Sequence, residues 1–176
     1  EFNIIDWSYF DNENQYIELI GPAGIDLHNW VIEIVDDANN VEARYVIPQN
    51  SILQNDYQGY GFFTIGKEMV VDRNLALTNQ LPDTGGIRLY RSMGALEYAI
   101  AYGNNGSALI PYGFTDIGLI DDWILIDGPI HLYGSGTNFS DFSWAADYSG
   151  FWTPSEANDG QTLLGGVTSL LLTPSI

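Results

Sequence analysis

Two strand-like runs separated by a glycine- and proline-containing turn occupy residues 15–34 and constrain the fold more than any other stretch. Residues 16–20 are apolar except for Glu18, and residues 30–35 resume a pattern rich in β-branched and aromatic side chains. Between the two runs, Pro22 lacks a backbone donor and Gly24 tolerates positive φ, so the strand ladder is interrupted. The stretch predicts a β-rich fold in which the first run is covered on both faces. Glu18 would then lie on a wet patch or be paired.

The rest of the chain continues as short β-prone runs between turn signals. No apolar stripe with a 3.6-residue period persists for three turns, so the sequence predicts little helix. We expect a hairpin turn at 36–40, strands at 41–47, 59–66, 87–91, 95–102 and 130–133, a loop or edge at 70–78, and a loop at 134–138.

Four stretches match a known pattern in order. They are residues 2–6, the central stretch 15–34, residues 86–103 and residues 152–161. The central one reads Ile-Glu-Leu, Gly-Pro, Asp-Leu and, after two intervening residues, Trp. This order resembles the lamin tail domain family, which is found in nuclear lamins and in secreted or surface proteins of bacteria and archaea. The resemblance implies an all-β, immunoglobulin-like sandwich over residues 1–161, with 104–150 as an atypical insertion. It also implies an extracellular or cell-surface location.

Residues 162–176 form a C-terminal strand or tail beyond the family pattern. The run 167–173 is uncharged and β-prone, and an exposed strand of this kind invites aggregation, so we expect it to be covered. It is either the last strand of the chain's own sheet or a strand given to a neighbouring subunit. In the second case the subunit contacts would be Val167, Leu170, Leu171 and Leu172.

The charge of the chain is strongly one-sided, with 23 acidic residues against 5 basic ones and a formal net charge of −18. Binding to nucleic acid depends on Lys and Arg, so the composition argues against it and disfavours anionic membrane surfaces. No apolar run is long enough to predict a membrane span. The acidity is explained either by solubility or by the binding of divalent cations.

The densest acidic cluster is the candidate metal site. Asp116, Asp121, Asp122 and Asp127 lie within twelve residues and offer the hard oxygen ligands that Ca²⁺ prefers. No Asp-x-Asp-x-Asp-Gly loop accompanies them, and cofactors other than calcium are not predicted. Two Asn-x-Ser/Thr tripeptides mark Asn105 and Asn138 as candidate glycosylation sites.

The sequence offers little for catalysis. It contains no cysteine, no Gly-x-Ser-x-Gly elbow, and only two histidines, of which His28 is expected in a turn and His131 as an outward strand residue. We therefore predict that the protein is not an enzyme. Aromatic side chains at 144, 148, 151 and 152 either fill the sandwich or form a sugar-stacking platform.

These features together predict a non-enzymatic, extracellular structural or adhesive protein. Self-assembly into a filament or surface layer through strand exchange is the expected mode, with further copies of the chain or another protein as partner. The alternative is an accessory module that binds calcium or carbohydrate.

Overall fold

The computed structural model describes residues 2–3, 12–118, 130–146, 153–158 and 160–165. Within these ranges the backbone forms twelve strands and short 3-10 helices at Asn12–Asn14, Gly106–Tyr112 and Phe139–Asp141. The strands are β1 (Phe2–Asn3), β2 (Tyr16–Pro22), β3 (Val31–Asp36), β4 (Val41–Val46), β5 (Tyr60–Gly66), β6 (Leu75–Ala76), β7 (Gly85–Tyr90), β8 (Leu96–Tyr102), β9 (Thr115–Asp116), β10 (Ile130–Gly136), β11 (Phe142–Ala146) and β12 (Gln161–Leu163).

The described strands form two sheets. The seven-stranded sheet has the order β11-β10-β1-β2-β5-β6, and β12 pairs with β10 as well. The five-stranded sheet has the order β4-β3-β7-β8-β9. Most neighbours are antiparallel, while β6, β9 and β12 join their sheets in parallel.

The hydrophobic core lies between the two sheets. Ile17 and Ile65 face it from the seven-stranded sheet, and Ile32, Ile87 and Ile100 face it from the five-stranded sheet. Alternation of side chains along each strand places these residues on one face and their neighbours on the other. The predicted all-β sandwich with little helix is confirmed.

The central stretch 15–34 forms the two predicted strands, but the predicted break at Gly21 and Pro22 is wrong, because β2 continues through both residues in register with β5. β2 pairs with β5 over its whole length, and its residues Tyr16, Ile17 and Glu18 are all buried, so both faces are covered at this end. The hairpin turn after β3 is also where it was expected. The carboxylate of Asp36 accepts hydrogen bonds from the side chain and backbone of Asn40, and these bonds lower the pKa of Asp36.

Described residues cover the outer face of the five-stranded sheet at one end. The 3-10 helix Gly106–Tyr112 and Phe114 lie against it, and Leu109 packs with Val35, Ala99 and Ala101. Toward the other end, where β3 begins and β4 ends, the outer face includes exposed side chains such as Val46.

One loop prediction is wrong. Residues 134–136 were expected in a loop, but β10 runs through to Gly136. The glycines are needed for close approach: a Cβ at Gly136 would lie 2.2 Å from a carboxylate oxygen of Asp141. By contrast, the prediction of a loop or edge at 70–78 agrees with β6, which lies at the edge of its sheet.

Candidate functional site

Residues 153–158 and 160–161, here called the closing segment, lie against the outer face of the seven-stranded sheet. Glu18 on β2 is only 6% exposed, and its carboxylate accepts hydrogen bonds from the Thr64 hydroxyl at 3.0 Å and from the backbone N–H of Ser155. Of the two predicted environments for Glu18, the structure therefore shows the paired one. A buried carboxylate near the start of the chain thus anchors a segment near its end.

A polar cleft of about 580 Å³ lies beside this anchor. One wall comes from the loop before β5, with Asp56 and Tyr57, and the other from the closing segment, with Glu156, Asn158 and Gln161. Asp56 and Glu156 are exposed and Tyr57 is half-buried. The cleft therefore combines carboxylates with an aromatic ring.

Hydrogen bonds within each wall of the cleft hold some of these side chains in place. The Gln161 side-chain oxygen accepts from the backbone N–H of Asn158 at 3.2 Å and from its side-chain amide at 3.3 Å. Asp56 accepts from the backbone N–H of Phe62 at 3.1 Å. These bonds hold the Asn158 amide and one carboxylate oxygen of Asp56 in place.

The sequence did not single out this cleft. Asp56 and Tyr57 are separated from the closing segment by about a hundred residues, and no spacing connects them. The one local signal is the density of Asp, Asn and Gln near 54–58 and 156–161, which also fits ordinary turns.

An apolar cavity of about 130 Å³ lies between the sheets. Its walls include Trp30, Tyr98, Phe139 and Trp144 among aliphatic side chains, and the rings of Tyr98 and Phe139 meet edge-on with centroids 4.7 Å apart. Burial raises the pKa of Tyr98. Trp144 packs against the core, which agrees with a filling role for this residue. The other aromatics of the predicted platform, at 148, 151 and 152, lie outside the described residues.

The two histidines occupy different settings. His28 lies in a turn, as predicted, where its backbone N–H donates to Asp26 at 2.8 Å. His131 was expected to point outward from its strand, but it is buried. Side-chain alternation places it on the face of β10 opposite Ile130, so the sheet's outer face is covered at this position.

Of the four carboxylates in the predicted calcium site, the structure describes one, Asp116. Asp116 lies on β9 and accepts a hydrogen bond from the backbone N–H of Gly118 at 2.9 Å. Asp121, Asp122 and Asp127 lie outside the described residues. In the described part of the chain, no group of three or more His, Asp or Glu side chains is placed to hold a metal ion. Calcium binding stays a prediction.

The two candidate glycosylation sites differ in accessibility. Asn105 is exposed before the 3-10 helix Gly106–Tyr112, and its amide donates to Asp37 at 3.0 Å. Asn138 is half-buried and forms a capping box with Asp141. Its amide donates to the hydroxyl of Thr137 at 3.2 Å. Asn105 is therefore the more accessible acceptor.

The start of the C-terminal tail belongs to the sandwich. β12 runs from Gln161 to Leu163 and so crosses the boundary that the sequence placed after residue 161. Leu163 is buried in a cluster with Tyr60 and Phe62 on the outer face of the seven-stranded sheet. The predicted contact residues Val167, Leu170, Leu171 and Leu172 lie outside the described residues.

Comparisons with known protein families, characterised proteins and solved structures found no significant match. The likeness to the lamin tail domain family rests on the four sequence stretches alone and stays a prediction. Among the described residues, no helix is long and apolar enough to cross a membrane.

Proposed function

We propose that the protein is a non-enzymatic, extracellular structural or adhesive subunit that assembles by strand exchange between copies. The donor is the uncharged run 167–173, and the acceptor is the apolar outer face next to β12. Backbone hydrogen bonds supply affinity in such a contact, and alternate side chains of the donor fill pockets.

The observation that carries this proposal is an apolar pocket of about 80 Å³ beside the end of β12. Pro22, Tyr60, Phe142 and Leu163 contribute to its lining. The uncharged run begins four residues after Leu163, close to this pocket along the chain. Its leucines match the apolar lining, and β12 already supplies a last strand to the chain's own sheet. Exchange with a second copy therefore gives the run a partner.

Deletion of residues 166–176 tests the proposal. We expect the full chain to form filaments in electron micrographs and the shortened chain to remain folded by circular dichroism without forming them. Leu171→Asp should have the same effect as the deletion because it puts a charge into the run. Ser175→Asp adds the same charge outside the run and is the matched control. A full chain that stays monomeric in light scattering at every concentration contradicts the proposal.

The polar cleft supports a second candidate function, the binding of carbohydrate. The carboxylates of Asp56 and Glu156 accept hydrogen bonds from sugar hydroxyls, and the ring of Tyr57 offers a stacking surface. A glycan array followed by calorimetry tests this function. Tyr57→Ala should abolish binding, whereas Tyr112→Ala, which removes an exposed ring outside the cleft, should leave it unchanged. The same calorimeter with Ca²⁺ as titrant tests the calcium prediction.

A further inference from the structure

The other end of the five-stranded sheet's outer face carries an apolar row, in which Val31 is only 8% exposed. Val46, Val31 and Tyr90 lie opposite one another in register on three neighbouring strands, and Leu96 on the fourth strand pairs with Tyr90 beyond a register shift between Leu89 and Tyr90. Directly opposed residues share a face of the sheet, so the row is continuous across the strands. Its two ends are the most exposed, with Val46 at 53% and Leu96 at 49%.

A charged row lies beside the apolar one. Glu33 pairs with Arg44 at 3.7 Å and with Arg88 at 3.6 Å, and Arg88 also donates to Asn39. The guanidinium of Arg88 lies 4.5 Å from the ring centre of Phe114, which holds it in place. The Arg44 side chain is 61% exposed and is the member most accessible to a partner.

We call these two rows together with Glu42 the balanced face, because its charges cancel. Glu42 is exposed and shares its side of β4 with Arg44. Two arginines therefore oppose two glutamates on this face, while the chain as a whole carries −18. The whole net charge consequently lies on other parts of the chain.

This distribution restricts how two copies can approach each other. Juxtaposed like charges cost free energy, so a contact through acidic surface is opposed. The balanced face avoids that cost and offers apolar area to bury. A two-fold arrangement also lets the exposed Arg44 of each copy pair with Glu42 of the other.

We propose that the balanced face is a two-fold contact between copies of this chain. This inference rests on the proposed function, since it names a second contact used by the same assembling subunit. Exchange of tails and pairing of balanced faces are two different two-fold contacts, and a subunit that has both forms an open filament. A subunit with one of them stops at a dimer.

The size of the face sets the expected strength of the contact. Four strands about 4.8 Å apart and about six residues long give a patch of roughly 20 by 20 Å. This is below the area of a standard stable interface, which is about 800 Å² per partner. The pairing should therefore depend on protein concentration and be lost on dilution.

Val46→Asp in the full chain tests the inference. It puts a charge into the apolar row and should limit assembly to tail-linked dimers, as measured by sedimentation velocity and electron microscopy. Val71→Asp is the matched control, because Val71 is 65% exposed and outside the face, and the net charge changes equally. This control should form filaments like the unaltered chain. If Val46→Asp does not fold, Leu96→Asp at the other end of the row provides the same test of the contact.

The outcomes separate the inference from the proposed function. If both folded variants on the face assemble as the unaltered chain does, the balanced face is not a contact, while assembly through the tail stands. If the unaltered chain stays monomeric, the inference and the proposed function are both contradicted. If Val46→Asp stops at dimers and its combination with the 166–176 deletion gives monomers, both are supported.

Discussion

Two buried tyrosines show how differently one hydroxyl group can contribute to stability. The hydroxyl of Tyr45 bonds to the backbone N–H groups of Thr78 and Asn79 at 3.2 and 3.0 Å and so holds the chain as it crosses from one sheet to the other. The hydroxyl of Tyr60 is buried, and no described residue forms a hydrogen bond with it. A buried hydroxyl without a partner costs free energy. When the hydroxyl forms a hydrogen bond, that bond compensates for the loss of its contacts with water.

Phe substitutions at the two positions should therefore have opposite effects. We expect Tyr45→Phe to lower the free energy of unfolding by about 1–3 kcal/mol and Tyr60→Phe to leave it unchanged or raise it by up to about 1 kcal/mol. Urea denaturation of the two variants measures the difference directly. Equal losses in both would show that Tyr60 has a hydrogen-bond partner in solution.

At the scale of elements, the short 3-10 helix Phe139–Asp141 depends on one carboxylate. Asp141 accepts hydrogen bonds from the backbone N–H groups of Asn138 and Thr137 at 2.8 and 2.9 Å. These bonds lower the pKa of Asp141 below its ordinary value of 3.8. The stabilisation from a lowered carboxyl pKa is present above the ordinary value and is lost as the pH falls through the folded-state value.

Asp141→Asn should consequently lower the melting temperature at pH 7 and have less effect at acid pH. The difference from the unaltered chain should stay constant down to about pH 5 and shrink as the pH falls below about 4. Glu68→Gln, at an exposed position, is the control and should show little difference at any pH. Calorimetry across this pH range provides the measurement, and a pH-independent difference would rule out the carboxylate bonds as the cause.

Prediction from sequence succeeded where a local pattern determines the structure. The Asp and Asn residues at 36–40 specify a tight turn by their own side-chain bonds, and the runs around them alternate as strands do. Prediction failed at Gly134 and Gly136, where a glycine that normally indicates a loop is required by contact with the segment at 141–142. The bond between Glu18 and Ser155 spans 137 residues, and no local rule identifies such a pair.

The whole molecule is dominated by its negative charge. Asp and Glu exceed Lys and Arg by 18, and mutual repulsion of this kind opposes the compact state. Salt screens charges that are more than about 10 Å apart at 0.1 M ionic strength.

We therefore expect the melting temperature to rise as NaCl is increased from low concentration to about 0.3 M. Arg73→Glu, at an exposed position, adds to the imbalance and should lower the melting temperature more at low salt than at high salt. Differential scanning calorimetry at several salt concentrations tests both expectations. A melting temperature that does not respond to salt would mean that the net charge contributes little to stability.

The position of β1 has a consequence for synthesis of the chain. β1 joins β2 on one side and β10 on the other, so residues 2–3 meet a partner that lies more than 120 residues further along. The five-stranded sheet needs only residues up to 116, whereas the seven-stranded sheet needs β10, β11 and β12. A nascent chain can therefore finish one sheet long before the other. Until β10 is synthesised, β1 is paired with β2 alone and its other edge lacks a partner strand, so a chaperone acting during translation would bind at that edge.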